Sequence, residues 1–277
     1  MKLGLIGNPI KHSLSPWIHN QLLQQANISG EYNLYELEPG SFTEQVELLR
    51  KEGLNGFNVT VPFKQKIMME LDDVDTQAEL IGAVNTVKVE NGQWTGFNTD
   101  GKGFLNSLKV KYPDISSSDI NILILGAGGA AKGIFYTLVH AGFENIDIAN
   151  RTSARVKEMT KGNDKTKRSG ILSLAEAENH VADYDLIIQT TTVGMKPHTE
   201  QQIISLENIR EGTIVSDIVY QPLMTAFLKE ASEKGARIHQ GHEMLLYQAV
   251  YAFEIWTGAS LDEQGLLETL EAHLKGA

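Results

Sequence analysis

The stretch INILILGAGGAAKGIF, residues 120–135, decides the fold. Its first half is an unbroken apolar run of strand length, the pattern of a strand buried on both faces of a parallel sheet. Three glycines follow, and then an apolar segment of helical length. Gly126-Ala127-Gly128-Gly129-Ala130-Ala131 fits G-x-G-x-x-G/A in its required setting, between a strand and a helix. The first glycine allows the tight turn, the second lets backbone approach a pyrophosphate, and the small Ala131 lets helix pack closely on strand. Free N–H groups at the helix start then hold phosphate. The alternative is a purely structural turn. Dinucleotide binding is the reading favoured here, with Gly126, Ala127, Gly128, Gly129 and Ala130 as the contacts.

Further strands are expected downstream at ENIDIA (144–149), DLIIQT (185–190) and TIVSDIV (213–219). The second of the series ends in Asn150-Arg151-Thr152, with Arg155 one helical turn on. A Rossmann unit that binds a bare ribose carries an acidic residue at this point. Here Asn150 is neutral, and Asp147 falls too early, inside the strand. Two guanidinia suit a 2′-phosphate, and as mere surface charges they would oppose the dipole of the helix they start. The cofactor is therefore expected to be NADP.

The N-terminal half alternates in the same way, with strands expected at 2–6, 31–37 and 56–61 and helices near 16–26 and 41–52. A hairpin over 83–95 should turn at Asn91-Gly92. Such βαβ alternation predicts a mostly parallel sheet. In GFNVTVPFKQK (56–66), alternation places Asn58 and Thr60 on one face and buries Val59 and Val61 on the other. Pro62 ends the strand, and Lys64 arrives just past it; the plain alternative is an edge strand with a solvated lysine. Asp100, in GFNTDG (96–101), occupies a usual helix-cap position. Ser13, Ser15, Lys64 and Asp100 fall at strand-to-helix turns, where open α/β sheets bind ligands, and Asn85 follows the short run Ala83-Val84, just before the polar Thr86. The set describes a pocket for a small polyhydroxylated anion. The polar stretch 112–118 is the internal linker candidate, and the chain beyond 240 reads as two amphipathic helices without a strand.

Composition narrows the alternatives. A chain of 277 residues suggests about two domains of roughly 150 residues. Lys and Arg number 24 against 35 Asp and Glu, a net charge of −11 without an acidic block, which argues against nucleic acid or an anionic membrane as partner. The absence of cysteine excludes disulfides and thiolate chemistry. Without a secretory segment or a long apolar run, a cytoplasmic location is expected. Gly96 to Lys102 imitates a P-loop, but Gly103 stands where Ser or Thr should hold magnesium. His239, His242 and Glu243 lack the spacing of a metal site, so no metal is expected. Trp94, Trp256 and Met68-Met69 read as packing.

Taken together, HSLSP (12–16), NVTVPFK (58–64), GAVNT (82–86), NTDG (98–101), GAGGAA (126–131), NRT (150–152), YQP (220–222) and GHEMLLYQA (241–249) resemble the shikimate dehydrogenase family, and the resemblance runs end to end. It implies two α/β domains, the second a Rossmann-type NADP domain over 102–239. The first would be a substrate and catalytic domain over 1–101 and 240–277, to which the C-terminal helices return. It implies reversible reduction of 3-dehydroshikimate to shikimate with NADPH, in chorismate and aromatic amino-acid biosynthesis. Lys64 and Asp100 match the family's catalytic pair. Ser13, Ser15, Asn58, Thr60, Asn85 and Gln248 match residues on the substrate's carboxylate and hydroxyls, and Tyr220 a tyrosine beside the substrate. Asn150 and Thr152 join the two arginines at the cofactor, and Gly241 and Met244 match positions near the nicotinamide. The chain departs from the family where Lys132-Gly133 replaces the commoner Arg-Ala. With cofactor and substrate on different domains, closure during turnover is expected. Two rivals remain: a relative acting on quinate as well as shikimate, with NAD, and a non-catalytic NADP sensor.

Overall fold

A computed structural model describes residues 1–115, 119–161, 166 and 169–276. The chain divides into two compact units, Met1–Gly103 with Leu246–Thr269, and Phe104–Leu245 with Leu270–Ala277. Its boundaries fall inside helices, not at the polar stretch 112–118. Residues 116–118 of that stretch lie outside the described residues. Tyr112 is tied into the second unit: its hydroxyl donates to Ile238 O at 2.6 Å, and the Arg237 guanidinium lies over its ring.

The first unit runs β1 (Lys2–Gly7), α1 (Ser15–Gln25), β2 (Glu31–Glu36), α2 (Phe42–Arg50), β3 (Gly56–Val59), β4 (Asp73–Val74), α3 (Thr76–Ile81), β5 (Thr86–Glu90), β6 (Gln93–Phe97) and the start of α4 (Asp100–Lys111). Its six strands lie in the order β2-β1-β3-β5-β6-β4. β1 is parallel to β2 and β3, whereas β5 is antiparallel to both neighbours. Asn91 and Gly92 both take positive φ, +52° and +81°, as the tight hairpin turn between β5 and β6 requires.

β3 is interior, which rules out the alternative of an edge strand, and it ends at Val59, not at the expected residue 61. Thr60 and Val61 lie beyond it, and Val61 is exposed. The Thr60 N–H still donates to Ile6 O, and Val61 O accepts from Asn8 N at 2.9 Å, both beyond the paired residues of β1 and β3. The core of this unit gathers Phe42, Val46, Phe57, Val59, Phe63 and Trp94. Trp256 donates its indole N–H to Val87 O. Of the two methionines expected to pack, Met68 does so and Met69 is exposed.

The second unit runs β7 (Asn121–Leu125), α5 (Gly129–His140), β8 (Asn145–Ala149), α6 (Ser153–Thr160), β9 (Ile171–Leu172), α7 (Leu174–Asn179), β10 (Leu186–Gln189), β11 (Ile214–Asp217), α8 (Ala226–Glu233) and β12 (Arg237–Gln240). The helices α9 (Gly241–Thr257) and α10 (Glu263–Lys275) follow. All six strands are parallel, in the order β12-β11-β10-β7-β8-β9. Counted from β7, this is the 3-2-1-4-5-6 order of a dinucleotide-binding sheet. Alternate residues of β7 feed two cores, Ile122 and Ile124 on one face and Leu123 and Leu125 on the other. This double burial is why the run carries no polar residue after Asn121. β4, β9 and β12 escape the sequence reading because the first two are two-residue strands and β12, RIHQ, has a single apolar residue. Among the described residues no helix is long and apolar enough to cross a membrane.

Candidate active site

The antiparallel direction of β5 assembles the site in the first unit. Because β5 runs against β3 and β6, its first residues lie beside the last residues of both: Thr86 pairs with Asn58 on one side and Phe97 on the other. Asn85, just before β5, therefore meets the turns that leave β3 and β6. Lys64 follows β3 through Phe63, which is buried and stacked on Phe42 at 4.5 Å. The Lys64 carbonyl accepts from Val84 N at 2.8 Å, so its backbone is fixed independently of its side chain.

Lys64 Nζ lies 2.6 Å from Asp100 Oδ2, in a pair whose side chains are 20% and 8% exposed. The other oxygen, Oδ1, accepts from Asn85 Nδ2 at 2.9 Å. Asp100 is the first residue of α4, one position past the expected cap, and Gly103 N donates to Thr99 O at 2.9 Å. Its carboxylate is thus held by side chains rather than by the helix start. Asn85 is a hub. Its Oδ1 accepts from Thr99 N at 2.8 Å and Thr86 Oγ1 at 3.0 Å, and its Nδ2 also reaches Thr99 Oγ1 at 3.0 Å and Gln248 Oε1 at 3.4 Å. Asn58 is buried and spans Tyr32 and Thr86.

Lys64, Asp100, Asn85, Asn58 and Gln248 thus share one hydrogen-bonded network. Ser13 and Ser15 form a pair of their own, Oγ to Oγ 3.1 Å, at the turn from β1 into α1. Thr60 is half-buried beyond β3. The sequence assigns no role to Tyr32, Thr86 or Thr99. The signal for Thr86 was there, since a buried hydroxyl opposite Asn58 follows once β3 and β5 are paired antiparallel.

Gln248 depends on a glycine. A Cβ on Gly103 would lie 2.5 Å from Gln248 N and 2.8 Å from its Cα, so only glycine lets α4 approach α9 here. Gly103→Ala is expected to lower stability by about 1–3 kcal/mol through overpacking against rigid backbone. It should also displace Gln248 from the network around Asn85 and raise the KM of shikimate. Thermal unfolding and steady-state kinetics read both effects, and an unchanged melting temperature would refute the close approach.

In the second unit the glycine loop opens α5. Gly126 has φ +117°, and a Cβ there would lie 2.6 Å from Thr190 Oγ1. Gly128 caps the helix and Gly129 begins it, and a Cβ on either meets no atom within 4 Å. This clear space before the unsatisfied N–H groups of a helix N-terminus fits a pyrophosphate. Leu125 pairs with Ala149, so the turn holding Asn150, Arg151 and Thr152 lies beside the glycine loop. Asn150 Nδ2 donates to Thr152 O, and Arg151 and Arg155 are exposed. Asp147 is structural: buried, it accepts from Gly170 N and from the Tyr184 hydroxyl.

Tyr220 belongs to this unit, in the segment leaving β11, and burial raises its pKa. The same segment is anchored by Asp217, absent from the sequence reading. Asp217 accepts from Val219 N, Gln189 Nε2 and Thr225 Oγ1, while burial pushes its carboxyl up to about 7. Gly241 is fixed by close approach, since a Cβ would lie 2.6 Å from Val219 O. Met244, one turn on, is buried in the core. His239 lies on β12 between Ser107 and Ser216, and among the described residues no cluster of His, Asp and Glu could hold a metal.

Three family models match: the shikimate dehydrogenase substrate binding domain over residues 5–87, shikimate / quinate 5-dehydrogenase over 109–220, and the shikimate 5′-dehydrogenase C-terminal domain over 241–271. A curated shikimate dehydrogenase (NADP(+)) of Oceanobacillus iheyensis is 51% identical, covering 100% of this chain and 99% of its own. The chain belongs to the shikimate dehydrogenase family. The solved shikimate 5-dehydrogenase of Thermus thermophilus, in complex with NADP(H) and shikimate, superposes with a TM-score of 0.86 at 32% identity, covering 97% of each chain. A quinate dehydrogenase of Corynebacterium glutamicum in complex with NAD has a TM-score of 0.89 at 27% identity, covering 98% of this chain and 99% of its own. Both the shikimate and the quinate members of this fold family are thus similar to the chain in backbone. Substrate and cofactor choice must lie in side chains.

Proposed function

We infer that this chain catalyses the reversible NADPH-dependent reduction of 3-dehydroshikimate to shikimate, in chorismate and aromatic amino-acid biosynthesis. The observation that carries the reading is the Lys64–Asp100 pair at 2.6 Å with Asn85 on the second carboxylate oxygen. It stands in a chain half identical, end to end, to a curated NADP(+) enzyme of that activity.

Bound at the glycine loop, the reduced nicotinamide cofactor supplies the hydride. Charge then develops on the ketone oxygen, and a positioned donor lowers the barrier. Lys64 Nζ is that donor. Asp100 orients it and keeps lone pairs for a substrate hydroxyl. Asn85 and Gln248 hold neighbouring hydroxyls, and Ser13 and Ser15 the carboxylate, with Asn58 and Thr60 completing the set and Tyr220 beside the substrate. Gly126 to Ala130 hold the pyrophosphate. Arg151 and Arg155, with Asn150 and Thr152, take the 2′-phosphate, and Gly241 and Met244 adjoin the nicotinamide.

The test is absorbance at the reduced-nicotinamide band with shikimate and either NADP⁺ or NAD⁺. Growth with NADP⁺ and little with NAD⁺ is expected. Preference for NAD⁺ would overturn the role of the two arginines, and turnover of quinate alone would overturn the substrate.

A further inference from the structure

Two buried amides belong to the network of the Lys64–Asp100 pair, and each bonds one main-chain group. Asn85 turns its Oδ1 toward Thr99 N at 2.8 Å. Asn58 turns its Nδ2 toward Asn85 O at 3.2 Å. Between them stands the Thr86 hydroxyl, fully buried, 3.2 Å from Asn58 Nδ2 and 3.0 Å from Asn85 Oδ1. A hydroxyl has one proton. Since Thr86 accepts from the Asn58 NH₂, its own proton goes to the Asn85 carbonyl oxygen. With that oxygen doubly engaged, the Asn85 NH₂ must face Asp100 Oδ1, and Asp100 Oδ2 is presented to Lys64. The far end is closed by Tyr32, whose hydroxyl donates to Asn58 Oδ1 at 2.7 Å and whose ring is stacked on buried His19 at 4.4 Å. The chain of bonds runs in one sense from the Tyr32 phenol to the Asp100 carboxylate, which the Lys64 ammonium meets as a donor from the other side. A reversed Asn85 amide would set a carbonyl oxygen against the carboxylate.

We propose that Thr86 is a positioning residue for the reaction: its hydroxyl joins the Asn58 and Asn85 amides and holds the Asn85 NH₂ on Asp100. The proposal rests on the shikimate dehydrogenase reading of the site. Thr86 does not enter as a substrate contact, because its hydroxyl is fully buried between the two amides and 3.4 Å from Thr99 Oγ1. Valine in its place keeps the shape and removes the joint, leaving a buried NH₂ and a buried carbonyl each short of one partner. Serine keeps the joint and removes a methyl group.

The experiment compares Thr86→Val, Thr86→Ser and Tyr32→Phe with the wild type in shikimate-dependent NADP⁺ reduction. Side-chain NH₂ resonances of Asn85 are followed in ¹⁵N-labelled protein. Thr86→Val is expected to lower kcat/KM for shikimate at least tenfold, with the KM of NADP⁺ within about twofold, and to shift the Asn85 NH₂ signal. Thr86→Ser should stay within about threefold of wild type with the signal in place, and Tyr32→Phe should move activity in the same direction by less. A Thr86→Val enzyme within threefold of wild type, or a serine variant as impaired as the valine one, would overturn the proposal. Absent turnover in the wild type would instead sink the functional reading, and the Asn85 resonances would still report whether Thr86 orients the amide.

Discussion

Lys64→Ala is expected to lower kcat for shikimate oxidation by about 10²- to 10⁴-fold, the range a positioned general acid or base contributes. The fold should survive. The Lys64 carbonyl bond to Val84 N and the anchor at Phe63 do not involve the ammonium, and Asp100 keeps its donor from Asn85. NADP⁺ binding should be unchanged, because the glycine loop belongs to the other unit. Steady-state kinetics with a cofactor titration separate these effects. If kcat stayed within about tenfold of wild type, equivalent to about 1.4 kcal/mol, Lys64 would not be the group that meets the developing charge.

The second large effect concerns the cofactor. Replacing both Arg151 and Arg155 by alanine is expected to weaken NADP⁺ binding by about 10²- to 10³-fold at low salt while leaving NAD⁺ binding nearly as it was. Each hydrogen bond between a guanidinium and a phosphate contributes about 1.5–3 kcal/mol, and exposure of both side chains makes the effect salt-dependent. Titration with 2′,5′-ADP isolates the 2′-phosphate from the rest of the cofactor. Equal losses for NADP⁺ and NAD⁺ would mean that the arginines support the turn and do not read the phosphate.

Both predictions come from residues visible in the sequence, for a physical reason. The glycine loop, the arginines after β8 and the Asn91-Gly92 turn are local: each needs only its neighbours in the chain to express its conformation. The double burial of β7 is equally legible, because a strand covered on both faces can carry no alternation. Val61 was misread for the complementary reason. Alternation continues through it and its carbonyl still accepts from Asn8 N, but β3 has ended at Val59 and the Val61 side chain is exposed. The two-residue strands β4 and β9 likewise exist only because a neighbouring strand is there to pair with.

The sequence by itself determined the alternating α/β architecture, the cofactor loop, the family and the residues from which a site could be made. Only the tertiary structure decided how they are joined. The single antiparallel strand β5 brings Asn85 and Thr86 beside the ends of β3 and β6. The missing side chain of Gly103 lets Gln248 approach. Hydrogen-bond direction around a buried amide depends on every neighbour at once. Here Asn58 meets Asn85 across 27 positions, and Asn85 meets Thr99 across 14. No local pattern carries that information.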